Sequence, residues 1–381
     1  MTVQIRADSF GDWTYTVTNG VATITEYSGD GGAVVVPSEV NGIPVRQVGN
    51  GWSPVFGNGN TNVTSVTLPE GVTHLGSSAL YACINLTSLT LPSSLTAIGS
   101  YALADSPNLA NMTLPNSLTS IGEEAFARCA SLTEVTVPGS VTTLSNYVFY
   151  DCSGLTRVML PAGLTSIGNY AFYGCTGLTG ITLPNSLASI GTGAFYGCTG
   201  LTGITLPPGV TTIGDGAFQN CTGLTSIVIP NNVTSLGGAG FKGCSNLASV
   251  YFLGDPPTVG SGVFGETAPG AAVYVLPGAT GYAATLGGLT VLSLTGTQAY
   301  DLGRQTVLDA PNSHHLYTTN QIHGMAIGEL VLTRTGNGSF VLNYDIEQSE
   351  DLVNWSSYQG YAATLTNLPT NKAFIRIKAK Q

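Results

Sequence analysis

A proline recurs every 23 residues through the middle of this 381-residue chain, eight times without a slip. The cysteines keep the same interval, and the one vacant slot between the first two holds Ser106. The eight prolines are Pro69, Pro92, Pro115, Pro138, Pro161, Pro184, Pro207 and Pro230, and the seven cysteines are Cys83, Cys129, Cys152, Cys175, Cys198, Cys221 and Cys244. A fixed period of this length predicts a repeat solenoid, whose coils bury their apolar side chains only against neighbouring coils.

One repeat, residues 178–200, reads LTGITLPNSLASIGTGAFYGCTG. Its first leucine and the alternating apolar residues after it predict a short strand with large side chains turned into the coil. Pro184 ends that strand, because proline cannot donate a hydrogen bond to a ladder. Ala194, Phe195 and Cys198 predict a short helix-like turn that faces inward.

This pattern, L-x-x-I-x-(L/I)-P-x-x-(L/V)-x-x-I-G-x-x-A-F-x-x-C, resembles the BspA-type, or treponemal-type, leucine-rich repeat. The resemblance covers regular coils over 63–246, with degenerate copies on either side. The departures are Leu80 and Leu103 in the Phe position, Ser106 in the Cys position and Ser145 in the Gly position. The resemblance implies a right-handed-type leucine-rich solenoid and an adhesive, non-catalytic protein of bacterial surfaces.

The expected fold is a mainly β solenoid of 23 residues per coil, with a β-hairpin cap at its start and a small β domain after it. Residues 1–30 form the predicted cap, since alternating segments flank Asn19-Gly20, a strong hairpin signal. Residues 31–292 form the predicted solenoid. Residues 293–381 form the predicted β-rich domain, which resembles a C-terminal module of secreted bacterial proteins.

The composition excludes several classes of function. With a net charge of −10 and only 8% charged residues, the chain lacks the basic patches that nucleic acids and anionic membranes require. Its longest apolar stretches have the length of strands, so no membrane span is expected. The first residues do not read as a secretory signal, so the protein is either cytosolic or exported with its signal removed. The family resemblance favours an extracellular or cell-surface location.

The cysteines are predicted to form one buried ladder of inert thiols. Equivalent positions on adjacent coils lie about 4.8 Å apart with parallel side chains. A disulfide requires converging Cβ atoms about 3.5–4.5 Å apart, and a zinc site requires CxxC or histidine companions that the repeats lack.

No arrangement for catalysis is evident in the sequence, and neither an enzyme nor a cofactor is expected. Nucleophilic catalysis needs a nucleophile, a base and an orienting group together. Asp309, His314, His315 and His323 are the only group that could bind a metal or move protons, and they match no known spacing. Surface or turn histidines are the favoured interpretation, so no metal site is predicted.

Two exposed stripes are the candidate interaction surface. One is the outward position of the strand, which carries a threonine in most coils, and the other is a set of tyrosines around the Phe position. The candidate residues are Thr136, Met159, Thr182, Thr205, Val228 and Tyr251 on the strand, and Tyr147, Tyr150, Tyr170, Tyr173 and Tyr196 around the turn. Between Arg157 and Asp215, 57 residues contain no charge, where soluble surfaces normally mix both signs.

Three functions are therefore open. The first is a surface scaffold that binds a protein or glycan partner on another cell or matrix. The second is a structural protein that assembles with itself into filaments or arrays. The third, which the sequence favours least, is an enzyme or metal-binding function within 300–381.

Overall fold

The computed structural model describes residues 7–51, 53–56, 62–110, 112–295 and 298. It also describes the backbone of three strands nearer the C-terminus, within 330–365. The chain divides into two compact units, residues 1–315 and 316–381. The predicted domain boundaries at 30 and 292 stay predictions.

The first six strands build the start of the solenoid. They are β1 (Ala7–Phe10), β2 (Trp13–Thr18), β3 (Val21–Tyr27), β4 (Gly32–Val35), β5 (Glu39–Val40) and β6 (Ile43–Val48). Strands β1, β2 and β3 form an antiparallel meander, so the expected hairpin carries one further strand. Asn19 and Gly20 have φ of 51° and 78°, as a two-residue hairpin turn requires. Strand β3 then pairs in parallel with β6 and connects the cap to the coils.

The coils contribute strands of two to five residues. These are β7 (Val63–Thr67), β8 (His74–Leu75), β9 (Ser88–Thr90), β10 (Ala97–Ile98), β11 (Ser120–Ile121), β12 (Glu134–Thr136), β13 (Thr143–Leu144), β14 (Arg157–Met159), β15 (Ser166–Ile167), β16 (Ser189–Ile190), β17 (Thr212–Ile213), β18 (Ser226–Ile229), β19 (Ser235–Leu236), β20 (Ser249–Phe252), β21 (Thr258–Val259), β22 (Ala272–Val275), β23 (Thr285–Leu286) and β24 (Leu289–Ser293). All pair in parallel between coils except the closing pair β23–β24, which is antiparallel.

Two parallel columns of strands run along the solenoid. The first column holds the strands before each proline, in the groups β4-β7-β9, β12-β14 and β18-β20-β22-β24. The second column holds the two-residue strands, in the groups β6-β8-β10-β11 and β13-β15-β16-β17-β19-β21. In the second column Ser166 pairs with Ser189, so each coil repeats its neighbour 23 positions later. Thr165 reinforces this column, because its hydroxyl donates to the carbonyl of Thr142 at 3.0 Å.

The third side of each coil is a column of turns in which Ala194, Phe195 and Cys198 are buried as predicted, although its backbone is less helix-like than their spacing indicates. Within the coil, N–H groups donate to carbonyls three residues earlier, as from Cys198 to Phe195 at 3.2 Å. The residues before the alanine and after the tyrosine have positive φ, 59° at Gly193 and 69° at Gly197. A helix needs negative φ throughout and i→i−4 bonds, so the segment turns repeatedly instead.

Main-chain bonds between coils hold the turn column together. Tyr170, Phe172 and Gly174 donate to the carbonyls of Thr192, Ala194 and Tyr196, each at 2.8 Å. The N–H groups of these alternate positions point towards the C-terminal coil and the accepting carbonyls towards the N-terminal coil. The column therefore has one direction from end to end.

The core beneath the turn column is a stack of phenylalanine rings. Phe126, Phe149, Phe172, Phe195, Phe218, Phe241 and Phe264 follow one another with ring centroids 5.2–5.6 Å apart. At the start, Trp13 and Tyr27 of the meander pack on Phe56, with centroids 5.9 and 5.6 Å away. At the other end, Tyr282 packs on Phe252 and donates its hydroxyl to the carbonyl of Gly254 at 2.8 Å.

Beyond the solenoid, three strands form an antiparallel sheet: β25 (Leu330–Arg334), β26 (Phe340–Gln348) and β27 (Ser356–Leu365). The first two strands flank the predicted Gly336-Asn337-Gly338 turn. Residues 300–329 and 366–381 lie outside the described residues, and so do Asp309, His314, His315 and His323. Within the part that the structure describes, no helix has the length and apolarity to cross a bilayer.

Six of the seven buried thiols of the core also donate a hydrogen bond. Cys129, Cys152, Cys175, Cys198, Cys221 and Cys244 donate through Sγ to the carbonyl 26 residues earlier, at 3.0–3.3 Å. Except for Leu103 opposite Cys129, the accepting residue is a core phenylalanine. Ser106 makes the same bond through Oγ, to the carbonyl of Leu80 at 3.2 Å. A small side chain with one donor therefore meets the requirement of this position, whether the donor is a thiol or a hydroxyl.

This equivalence can be tested at Ser106. We expect Ser106→Cys to leave the free energy of unfolding unchanged or raised, because the donor is kept and the thiol is more apolar. Ser106→Ala should lower it by about 1–3 kcal/mol, since the buried carbonyl of Leu80 loses this donor. Urea unfolding under reducing conditions measures both, and equal stability of the two variants would contradict the role of the bond.

Candidate interaction surface

The turn column carries five stacked tyrosines on its outer side. We call Tyr147, Tyr150, Tyr170, Tyr173 and Tyr196 the tyrosine ladder. All five side chains are half-buried. Two of them, Tyr147 and Tyr170, occupy the positive-φ position two residues before the core phenylalanine, with φ of 55° and 54°. The other three follow the core phenylalanine.

The ladder consists of two adjoining stacks. In one, the ring centroids of Tyr147 and Tyr170 lie 4.9 Å apart with the planes at 14°. In the other, Tyr173 lies 4.6 Å from Tyr150 and 4.7 Å from Tyr196, at 10° and 11°. The stacks contact each other, since Tyr147 lies 5.8 Å from Tyr150 and Tyr170 lies 6.1 Å from Tyr173.

This geometry decides what the ladder can offer a partner. Both faces of the Tyr173 ring are covered by neighbouring tyrosines, so the exposed parts of the stack are ring edges and phenol groups. Sugars commonly stack on open aromatic faces, and the middle of the ladder has none to offer. A partner along the ladder therefore meets a row of hydroxyl groups at the spacing of β-strands.

The ladder is held in place at its flanks. Asn220 donates through Nδ2 to the hydroxyl of Tyr196 at 2.9 Å, which fixes this C-terminal residue of the ladder. Gly193 stands where the next coil would carry another tyrosine after Tyr170. A Cβ at Gly193 would overlap the Tyr170 ring, so a bare backbone at this position gives the ring its room.

A group of paired charges lies beside the N-terminal end of the ladder. Arg128 donates to both carboxylate oxygens of Asp105, at 2.9 Å for the Nη2–Oδ2 bond, and lies 3.9 Å from Glu124. The hydrogen bond from Arg128 lowers the pKa of Asp105. Tyr101 donates to Glu124 at 2.9 Å. These charges are paired among themselves at the N-terminal end of the ladder. Asp151 and Arg157 follow in the coil of Tyr150, before the uncharged stretch begins.

Three of the ladder's hydroxyls are held in the protonated form at neutral pH. Burial raises the pKa of Tyr147, Tyr150 and Tyr173 above the ordinary tyrosine value. Burial also raises the pKa of Asp151, which lies in the turn beside Tyr150. The ladder is thus a neutral surface of groups that both donate and accept hydrogen bonds.

The strand stripe lies in a different column from the ladder. Thr136, Met159 and Thr182 are exposed, and Thr205, Val228 and Tyr251 are half-buried. Met159 is 38% exposed, and Tyr251 stacks on Tyr274 with centroids 5.2 Å apart. The candidate residues therefore form two separate surfaces, one in the first strand column and one in the turn column.

The cysteines and histidines offer no reactive centre in the described part of the chain. All seven cysteines are free and buried. Burial raises the pKa of Cys83, Cys129 and Cys198 to about 12, which leaves little of the reactive thiolate at neutral pH. Over the described residues, no group of three or more His, Cys, Asp or Glu side chains could hold a metal ion.

Comparison with known proteins agrees with this architecture. The model of the BspA type leucine-rich repeat region matches residues 54–179 and 142–269, which together span more than half of the chain. The chain belongs to the BspA-type leucine-rich repeat family. BspA-type repeats are generally non-catalytic scaffolds for binding, and no partner of this chain follows from the family alone.

Two solved structures are similar to a larger share of the chain than the family model matches. A leucine-rich repeat protein from Bacteroides ovatus is 28% identical, with a TM-score of 0.64 over 75% of this chain and 76% of that one. A leucine rich cell surface protein from Faecalibacterium prausnitzii is 25% identical, with a TM-score of 0.55 over 79% of this chain and 98% of that one. No curated protein matches the sequence.

Sequence reasoning missed the residues that shape the BspA-type surface without belonging to its stripes. Asn220, Gly193 and the Asp105–Arg128 pair hold or bound the ladder. The one sequence signal for these residues was Gly193, which stands at the position that tyrosine occupies in the two preceding coils. The direction of the rings could not be inferred from spacing alone.

Two glycines of one turn test how the ladder depends on its supporting backbone. Gly193→Ala and Gly197→Ala both place a Cβ at positive φ, so each should cost about 1–2 kcal/mol of unfolding free energy. Only the Gly193 variant would also push the Tyr170 ring aside. We expect a change in near-ultraviolet circular dichroism for Gly193→Ala alone. The same spectral change in Gly197→Ala would show that the ring does not rest on Gly193.

The burial of the thiols gives a second expectation. A thiol-specific reagent at pH 8 should label none of the seven cysteines in the folded chain and all seven in urea, because burial keeps the folded thiols from the reagent. Labelling counted by mass spectrometry measures this. Rapid modification of any one cysteine in the fold would contradict the inert ladder.

Proposed function

We propose that this chain is a non-catalytic scaffold, extracellular or displayed on a cell surface, that binds protein or glycan partners through the tyrosine ladder. The observation that carries the proposal is the stacked row of phenol groups, of which Tyr170, Tyr173 and Tyr196 lie within the stretch of 57 uncharged residues. Tyrosine suits such interfaces, because its ring is rigid and amphipathic and loses little conformational entropy on binding.

The neutral ladder also bears on the kind of partner. A row of groups that donate and accept is suited to a surface rich in hydroxyls or amides, rather than to a strongly charged one. Since the rings show their edges, a glycan would be held along the ladder by hydrogen bonds and could stack only at an end. A protein partner would place polar side chains or main-chain groups on the hydroxyl row.

A second candidate function is self-assembly, which the distribution of charge along the chain favours. Copies with a net charge of −10 repel one another, and the uncharged coils are where that repulsion is smallest. Static light scattering over a concentration series at low salt tests this candidate. A mass that stays monomeric throughout would remove it, and growing polymers would support it.

The binding proposal is tested by truncating the ladder. The double variant Tyr173→Ala, Tyr196→Ala should lose at least about tenfold in affinity for the partners that the parent chain binds on an array of glycans and matrix proteins. The variant removes two of the ladder's hydroxyls and the stacking of Tyr173 on Tyr150. Thermal unfolding of the variant measures what the stack contributes to stability.

Tyr251→Ala is the matched control. It also removes one tyrosine from a stacked pair, but in the strand column and away from the ladder. We expect it to bind as the parent chain does. Loss of binding in Tyr251→Ala with retention in the ladder variant would assign binding to the strand column and overturn the proposed surface.

A further inference from the structure

One coil departs from the repeat at three diagnostic positions at once. It carries Leu103 for phenylalanine, Ser106 for cysteine and Met112 at the inward position of its strand segment. The residues equivalent to Met112 are Leu89, Val135, Val158, Ile181, Ile204 and Ile227, and all of them are buried. Met112 is only half-buried, so this coil does not close its strand side as the others do.

The first strand column is interrupted at that coil, as it is again between β14 and β18, where the bridge between Thr182 and Thr205 is the one pairing among the described residues. Strand β9 pairs with β7 alone and β12 pairs with β14 alone, while residues 112–114 form no strand with either. Over the described residues, β9 and β12 therefore turn unpaired strand edges towards the same gap. The gap spans two coil spacings, about 9.6 Å.

A groove of about 470 Å³ opens at this gap, which is within the range of ligand-binding pockets. We call it the Met112 groove. Leu89, Leu91, Met112 and Leu114 give it an apolar lining, and Thr113 stands beside them. Glu134 is its one charged lining residue.

The charge of Glu134 is available to a ligand. Its carboxylate lies 3.8 Å from Arg157, and the two side chains are 46% and 67% exposed. An ion pair this exposed contributes little, so a second cation can replace Arg157 at small cost. The chain as a whole carries a net charge of −10, which attracts a basic partner.

From the open strand edges, the apolar lining and the single carboxylate, we propose that the Met112 groove binds an extended peptide segment that carries apolar side chains and a lysine or arginine. The peptide main chain pairs with an edge that β9 or β12 leaves open, as in strand addition to a sheet. Its apolar side chains enter the groove against Met112, whose flexible thioether adapts to their shape. Its basic side chain pairs with Glu134.

This site is independent of the tyrosine ladder, since it lies in the first strand column and uses a different chemistry. Failure of one proposal therefore leaves the other standing. The probe is a labelled peptide, acetyl-Thr-Val-Lys-Leu-Thr-Val-amide, titrated with the full chain by fluorescence anisotropy. A version with Glu in place of Lys tests the charge, and a version N-methylated at alternate peptide bonds tests the main-chain pairing.

We expect the lysine peptide to bind about tenfold more tightly than either altered peptide. Glu134→Gln should remove the preference for lysine over glutamate. Glu123→Gln is the matched control, because Glu123 is exposed on another part of the coil and should leave binding unchanged. Met112→Ile replaces the flexible thioether that the peptide contacts with a stiff β-branched side chain, so it should abolish binding and keep the melting temperature.

Several outcomes overturn the proposal. They are no binding of the lysine peptide up to millimolar concentration, equal binding of all three peptides, and an unchanged lysine preference in Glu134→Gln. Binding of a neutral oligosaccharide that Met112→Ile abolishes, without binding of the peptide, would assign the groove to glycans instead. If Met112→Ile does not fold, the peptide series and Glu134→Gln still decide the matter.

Discussion

Every part of this solenoid depends on main-chain hydrogen bonds between residues about 23 positions apart. No coil can bury its apolar side chains or satisfy its N–H and carbonyl groups alone, so stability comes from neighbouring coils. The bonds fix the spacing, and the spacing brings equivalent side chains into contact. The stacks of phenylalanine and tyrosine both follow from this, because identical residues on successive coils must face one another at the distance of β-strands.

The interval of prolines and cysteines was enough to predict the solenoid, the residues that face its interior and the burial of the cysteines. It was not enough to predict the turn column. Ala194, Phe195 and Cys198 have the spacing of a helix face, yet glycines flanking that segment favour positive φ, which spacing does not report. Likewise Ser106 looked like a gap in a cysteine series. Its hydroxyl makes the bond that the thiols make, so the position selects for a small donor and not for sulfur.

For the candidate surfaces, the sequence predicted which residues take part but not how their side chains are oriented. The sequence indicated which tyrosines share a side of the coil, but the orientation of the rings depends on stacking, and stacking turns their faces away from solvent. The Met112 groove arises from the opposite circumstance. There, the strand column loses its pairing at the coil that carries Met112. In the described coils of Ile181 and Ile204 it also loses pairing, apart from the bridge between Thr182 and Thr205, so no single-residue propensity marks where the column is interrupted.

The single direction of the turn column limits how such a chain can change. In this column the N–H donors point towards the C-terminal coil and the carbonyl acceptors towards the N-terminal coil. Inserting or deleting part of a coil would therefore leave N–H groups and carbonyls without hydrogen-bond partners. A whole 23-residue unit can be inserted or deleted, because it presents the same donors above and the same acceptors below. The sequence AFYGCTGLTGITLP, which occurs at 171–184 and again at 194–207, has the form that such an exchange would leave. Genetic duplication of a coil would add a tyrosine-bearing turn to the ladder and lengthen the binding surface. The coils on either side would keep their main-chain pairing.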